Sequence, residues 1–378
     1  MKEIFYENSM ISEFKAKIIK VEKIDDDFVY ILDKTAFFYE GGGQDSDTGV
    51  FISLVDGKKI DIFYCYKEND NIYHKSKEYL AVDTEIIGKI DFEKRYSLMQ
   101  NHLGEHIISG IVNRKYGFNN VGFHMGEFTT IDFDGILSYE QLLDIEKEAN
   151  IYVQKSIPIK TYIAKEDDIY RSKKEIFEAV RIVEIENVDK CACCAPHFSN
   201  TGYVGIIKIL DVKKYKKGVR VTMLAGNKAL KYLADIYEMV KEISVHTSKK
   251  PFEIKNKVIE YEEKIYNLNG KIINLSKDNL ISKLESRNKD EHYVLETDID
   301  FSIVLNVLKN YETNKIICIL KENNKGYQFA FISKNVDEDI KIFNDLNVKI
   351  GGKKLLTGMI FESMEKILEK LENYNKSF

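Results

Sequence analysis

Apolar and polar residues alternate at period two through residues 14–90, in segments such as FKAKIIKVEKI, DFVYILDKTAFFYE, GVFISLV and KIDIFYCYK. Alternation of this kind predicts short strands, and their number suggests a small barrel or sandwich. The period then changes. In RYSLMQNHLGEHIISGIVNRKY, Leu98, His102, His106 and Ile107 recur at spacings of three or four, which predicts a helix carrying both apolar and ligand-capable faces. A second helix is expected over residues 139–153, and strands return in EAVRIVEI and VGIIKIL. After Gly226 the pattern is helical: NKALKYLADIYEMVKEI is amphipathic and ends at the break over residues 246–251, because proline cannot continue a helix. The following segment repeats every seven residues, with Val258, Ile265 and Ile272 at one position and Ile254, Tyr261, Leu268 and Leu275 at another. Such a seam needs a partner, either a second copy in a parallel dimer or the preceding helix of the same chain. From about Thr297 strands (KIICILKEN, YQFAFISK) mix with helical stretches, then KIGGKKLLTG and a last amphipathic helix, which predicts a small α/β domain.

Composition narrows the setting. A chain of 378 residues with 44% hydrophobic content can bury two or three cores. No apolar run approaches the roughly 18 residues of a membrane span, and MKEIFYENSM carries acids where a signal peptide is apolar. A cytoplasmic protein with no membrane partner is expected. The net charge of −5 argues against a nonspecific nucleic-acid coat, so any phosphate contact needs a local patch. Residues 208–220, KILDVKKYKKGVR, hold six basic side chains against one acid. Lys213, Lys214, Lys216, Lys217 and Arg220 are therefore candidates for RNA contact, the alternative being a solvated hairpin turn.

Three of the five cysteines crowd into Cys191, Cys193 and Cys194 beside His197, which reads as metal or thiol chemistry rather than a disulfide framework. His102-x-x-x-His106 on a helix puts two imidazoles on one face, and Cys193-x-x-x-His197 adds a thiolate and an imidazole. Together they make a donor set suited to tetrahedral zinc. The competing reading of the cysteines is a buried apolar cluster or a redox pair. A second constellation runs from Thr35 through Gly41-Gly42-Gly43-Gln44 to Asp47 and Gly49. Its glycines allow close backbone approach or positive φ, and no Walker lysine or Rossmann context follows, so by itself it reads as a turn.

In order, these elements are T-x-x-F-Y-x-G-G-G-Q-x-x-D-x-G, H-x-x-x-H after Ile90, Asp91 and Arg95, and C-x-x-x-H followed by Thr201, Gly202 and Gly205. With VGFHMG around His124 and a closing RVTMLAGNKAL, they resemble the alanyl-tRNA editing family of AlaX type, whose elements also form the editing domain of alanyl-tRNA synthetases. The likeness covers roughly residues 1–230. It implies an α+β fold: an N-terminal β-barrel domain (1–89), a zinc-bearing editing core (90–230), a helical, coiled-coil-like linker (231–292) and a small C-terminal α/β domain (293–378). It also implies a zinc-dependent hydrolase that deacylates alanine tRNA carrying serine or glycine. By the same likeness His102, His106, Cys193 and His197 would ligate zinc, and Thr35, Gln44, Gly42 and Gly43 would line the amino-acid pocket, with Thr35 reading the serine hydroxyl. A homodimer through the C-terminal half is expected as well. Two departures stand out: Leu103 occupies a place where the family often has threonine, and Cys193-Cys194-Ala195-Pro196-His197 replaces C-G-G-T-H.

A pocket built for alanine cannot strongly exclude glycine or serine, so a second, hydrolytic site is required. Four protein ligands would fill the shell of a zinc whose catalytic use needs an open position. Either one ligand, His197 foremost, is loosely held, or the metal orients the tRNA 3′ end while a separately held water attacks. Two other readings compete. His102-Leu-Gly-Glu105-His106 also fits the H-x-x-E-H peptidase pattern with Glu105 as base, and a tRNA-binding protein with structural zinc would show full coordination and no turnover.

Overall fold

A computed structural model describes residues 1–172, 180–287 and 291–375. The chain is α+β and divides into two compact units, Met1–Val240 and Lys241–Phe378.

In the first unit the alternation resolves into a seven-stranded antiparallel sheet, ordered Lys59–Ile62, Gly49–Ser53, Glu85–Ile90, Glu13–Ile24, Asp27–Leu32, Asn71–Ser76, Tyr64–Glu68. The long Glu13–Ile24 strand pairs with Glu85–Ile90 along its first half and with Asp27–Leu32 along its second, the register shifting between Ile18 and Lys20. A bulge of this kind bends a strand and lets one sheet curl over its own core. The enclosed core holds Phe14, Ile18, Tyr30, Phe37, Phe38 and Phe51. The hydrogen-bonded ring expected of a barrel is not closed among the described residues. Lys59–Ile62 and Tyr64–Glu68 are the two edges, and the chain itself passes between them through the single residue Phe63.

The predicted ligand helix, α1, spans Phe92–Tyr116. It starts earlier than the apolar spacing suggests because Asp91 caps it, accepting from the Lys94 N–H, and it stops at Gly117, whose φ of 71° suits glycine. From Leu98 to Val112 α1 is buried on all faces, polar side chains included, so each of those must find a partner inside the protein. Around it lie helix α2, Tyr139–Gln154, with a Ser138/Gln141 capping box, and a four-stranded antiparallel sheet ordered Asn120–Met125, Thr129–Phe133, Gly218–Ala225, Ile207–Tyr215. A three-stranded sheet, Ile159–Ile163, Arg181–Ile185 and Asp189–Ala192, completes the set. Of the expected EAVRIVEI strand, Glu178 and Ala179 lie outside the described residues. Helix α3 follows at Gly226–Thr247.

The second unit contains the long helix α4, Ile254–Ser286, helix α5, Phe301–Lys309, and a five-stranded sheet ordered Tyr293–Glu296, Ile317–Asn323, Gly326–Ile332, Leu355–Ile360, Val348–Gly351. α5 is the crossover between the first two strands, which pair in parallel; the rest pair antiparallel. The α4 seam residues Val258, Tyr261, Ile265, Leu268, Ile272 and Leu275 are all exposed. No helix among the described residues is long and apolar enough to cross a membrane.

Candidate metal centre

α1 delivers His102 and His106 one turn apart on one face, their rings 5.1 Å between centroids. The turn after strand Asp189–Ala192 delivers Cys193 and His197. Its carbonyl groups are pinned by side chains from elsewhere: Tyr6 Oη donates to Cys194 O (2.7 Å), Ser9 Oγ to His197 O (2.7 Å), and Arg181 Nη1 to both Cys193 O and Ala195 O (2.9 Å each). The four predicted ligands thus converge, their donor atoms all within 4.8 Å of one another. Cys193 Sγ is 3.5 Å from His102 Nε2 and 3.3 Å from His197 Nε2. Bond lengths of about 2.3 Å to sulfur and 2.0–2.1 Å to nitrogen give a tetrahedron whose S···N edge is about 3.5 Å. Donor chemistry and spacing therefore both fit zinc.

Partners behind the imidazoles fix which nitrogen faces the centre. His102 Nδ1 lies 3.1 Å from Gln44 Oε1, and His106 Nδ1 lies 2.9 Å from Asp189 Oδ2. In each case the Nδ1–H donates outward, leaving the Nε2 lone pair for a metal. Asp189 is itself gripped by Arg171, whose Nε and Nη2 reach its two oxygens at 2.8 and 2.9 Å. Burial opposes ionisation of Asp189, but His106 and Arg171 outweigh it and hold the carboxyl well below its usual range. His197 differs: its Nδ1 is buried without a partner, and burial depresses its basicity to about 3.

The cysteines separate by environment. Burial works against ionising Cys193, yet His102 and His197 bring its thiol well below the usual value, whereas burial pushes Cys191 up to about 12. Cys191 Sγ contacts His106 on its Nδ1 side, at 3.0 Å, and with Asp189 forms a second group of possible ligands sharing that histidine. Cys194 turns toward the glycine loop, where a Cβ on Gly42 would stand 3.1 Å from its sulfur.

That loop is a built element of the site. Gly42 and Gly43 take φ of 63° and 83°, and a Cβ at Gly43 would lie 2.6 Å from the Phe123 ring. Arg95 of α1, fully buried, binds Asp47 through Nε and Nη2 and donates from Nη2 to Ala36 O, fastening both ends of the loop to the helix. Gln44 is thereby set against His102, and its Nε2 is buried with no partner. Thr35 is also buried; its hydroxyl accepts from Phe37 N (3.1 Å) and meets His74 Nε2 (2.9 Å), on an imidazole that burial lowers to about 4.

Glu105 does not join the four donors. Its carboxylate accepts from Ser109 Oγ (2.7 Å) and Asn120 Nδ2, so the base required by a peptidase reading is already committed. The basic stretch forms the hairpin Ile207–Tyr215 and Gly218–Ala225, with Lys213, Lys214, Lys216 and Lys217 exposed about its turn. Arg220 is engaged: it binds Asp132 through Nε and Nη2 (2.6 and 2.8 Å) and stacks 3.9 Å from the Tyr215 ring centroid.

Asp189, Arg171 and His74 were not among the sequence candidates. A signal for Asp189 exists: Asp189, Cys191 and Cys193 alternate along an extended segment, which places all three on one side.

Residues 180–221 match the domain described as "Threonyl and Alanyl tRNA synthetase second additional domain". The alanyl-tRNA editing protein AlaX-M of Saccharolobus solfataricus is 32% identical over 229 positions, covering 57% of this chain and 94% of that protein. The alanine–tRNA ligases of Ignicoccus hospitalis (28% identical, 97% of this chain, 42% of that protein) and Thermofilum pendens (31%, 64% and 28%) are also similar. This chain spans less than half the length of those ligases.

Proposed function

Because the chain belongs to the alanyl-tRNA editing protein family, we propose that it is a zinc-dependent hydrolase that deacylates alanine tRNA carrying serine or glycine. The observation that carries this reading is the four-donor set at tetrahedral spacing beside a buried glutamine amide with spare hydrogen-bonding capacity. His102, His106, Cys193 and His197 would hold the ion, which when bound supplies a Lewis acid at the ester. The chain's own groups bind and orient. Gln44 keeps His102 turned inward through Oε1 and retains two N–H donors for the aminoacyl group. Gly42 and Gly43 let the backbone approach the same place, and Arg95 with Asp47 prevents the loop from drifting. Thr35 would read the serine hydroxyl by exchanging its contact with His74 for one with substrate. His197, whose Nδ1 lacks a tether, is the ligand best suited to loosen when a substrate oxygen or water needs a place near the ion.

Lys213, Lys214, Lys216 and Lys217 would contact tRNA phosphate. Arg220 would support them by bracing Tyr215 rather than by offering a free charge. The exposed α4 seam would be covered by a second copy of the chain, since water leaves about 1.5–3 kcal/mol per large aliphatic side chain ungained. The four-part division at 89/90, 230/231 and 292/293 and a cytoplasmic location complete this reading. The test is loss of the ester from alanine tRNA charged with serine, glycine or alanine. Rapid release of serine or glycine with alanine spared supports editing. Binding without turnover would instead favour a tRNA-binding protein with structural zinc.

A further inference from the structure

The outward face of the N-terminal sheet carries an aromatic column that the proposed chemistry does not use. Strands Tyr64–Glu68 and Asn71–Ser76 pair with Tyr64 opposite Lys75 and Tyr66 opposite Tyr73. Alternation turns Cys65, Ile72 and His74 into the buried core and leaves Tyr64, Tyr66 and Tyr73 half-buried on the other side. Their rings stack in a row: Tyr64 on Tyr66 at 6.1 Å between centroids and 22° between planes, Tyr66 on Tyr73 at 4.9 Å and 8°. A hairpin gains stability from the cross-strand Tyr66/Tyr73 pair alone. Tyr64 stands opposite a lysine, so its ring extends the column beyond that pair, toward the glycine loop. The contact with the loop is direct. Tyr64 Oη donates to Glu40 Oε2 (2.8 Å), and Glu40 N donates to Cys65 O (3.0 Å). Beyond Glu40, Gly42 and Gly43 are exposed, and a Cβ on Gly42 would stand 3.1 Å from the sulfur of Cys194, the neighbour of the ligand Cys193. The column, the loop and the metal centre therefore form one continuous path.

Charge adds to stacking. Lys75 Nζ lies 5.8 Å from the Tyr66 ring centroid and Lys67 Nζ 5.4 Å from that of Tyr39, while Lys67 also pairs with Glu3 and Lys75 with Asp27. With its lysines partly neutralised, the face offers rings more than net charge. That suits unpaired bases better than a duplex, because every base has a π-face whereas a duplex presents mainly phosphate. An aminoacyl-tRNA brings such bases to this place, since its amino acid is esterified to an unpaired 3′ end. We propose that Tyr64, Tyr66 and Tyr73 form a stacking platform for the unpaired 3′ end of the RNA, holding the bases next to the aminoacyl nucleotide while its ester reaches the metal centre. The identity of the RNA rests on the editing reading; the platform itself needs no turnover.

The experiment is fluorescence anisotropy of labelled, uncharged RNA hairpins with the full-length chain. One hairpin copies the acceptor stem of alanine tRNA with its unpaired 3′ end, and the other has the same stem cut blunt. The overhang should tighten binding at least about five-fold, the lower end of what one stacked base contributes. Tyr66→Leu, which keeps apolar area but has no π-face, and Tyr64→Ala should each remove most of that gain and leave the blunt hairpin unaffected, whereas Tyr66→Phe should keep it. On serine-charged tRNA, Tyr66→Leu should raise KM with kcat held. If no charged tRNA is hydrolysed but the overhang gain and its dependence on the rings remain, the editing reading fails and the platform stands. The platform is overturned if blunt and overhanging hairpins bind alike, or if Tyr66→Leu and Tyr64→Ala, shown to be folded by their thermal unfolding, bind both as the parent does. It is overturned as well if Tyr66→Phe loses as much as Tyr66→Leu, which would mark the column as hairpin support only.

Discussion

Replacing Asp189 by asparagine should weaken zinc binding without removing a ligand. The carboxylate accepts from His106 Nδ1 at 2.9 Å and from two nitrogens of Arg171 at 2.8 and 2.9 Å, in a place almost closed to solvent. Asparagine has one acceptor oxygen where aspartate has two. It can serve His106 or Arg171, while its amide hydrogens oppose the other's donors. If the oxygen goes to Arg171, His106 loses the bond that selects its inward-facing nitrogen. If it goes to His106, a largely buried guanidinium keeps a donor aimed at another donor. Partners behind metal-ligating histidines typically contribute ten- to one-hundred-fold in affinity, or about 1.4 to 2.8 kcal/mol. Competition against a chromophoric chelator gives the dissociation constant directly, and circular dichroism of the metal-free protein reports whether the fold has survived. Arg171→Gln, which leaves the aspartate in contact with His106, should cost less than Asp189→Asn. Zinc affinity in Asp189→Asn within two-fold of the parent's would refute the argument that this pair sets the orientation of His106.

Among the ligands, His106→Ala and Cys193→Ser should lose zinc more completely than His197→Ala, and Cys191→Ser should keep it, as read by metal content after dialysis; equal loss in Cys191→Ser would mean the wrong sulfur was assigned. Neutralising Lys213, Lys214, Lys216 and Lys217 should flatten the salt dependence of tRNA binding by roughly 0.7 to 0.9 per lost phosphate contact; an unchanged slope returns the hairpin turn to solvent. Ile265→Glu with Ile272→Glu should convert a sedimenting dimer to monomer, and a parent chain that is already monomeric at all concentrations ends the dimer proposal. His74 titrates near 4 in the folded protein because burial disfavours its cation, against about 6.5 unfolded, so unfolded chains take up more protons and stability falls as pH drops from 6.5 toward 4. Across that window His74→Gln should lose about 3 kcal/mol less than the parent in denaturant titrations; parallel curves would contradict this.

The four converging donors were legible because each pair is local. A spacing of four residues on α1 and four in the turn announces His102 with His106 and Cys193 with His197. What joins the pairs is not local. Asp189 meets His106 across 83 positions and Arg95 meets Asp47 across 48, and periodicity carries no trace of either partnership. The start of α1 was misjudged for a related reason. The apolar spacing begins late, whereas the cap is a single side chain, Asp91, that only the folded geometry identifies. Strand alternation marked the N-terminal elements well but left their closure open, since that depends on the bulge at Ile18–Lys20 and on Phe63 passing between two edges. Thr35 was identified as a candidate, but its contact with His74, a histidine on a strand that otherwise reads as ordinary sheet, was not.

The Arg95–Asp47 pair bears on how such an activity can be inherited. A gene cut between the strand ending at Ile90 and the helix beginning at Phe92 would separate a fully buried cation from its anion and leave Gln44 on one product and His102 on the other. Recombination that shuffles this machinery among larger enzymes or releases it as a free-standing protein would therefore have to carry the glycine loop and the histidine helix together, as one exon-sized cassette rather than two.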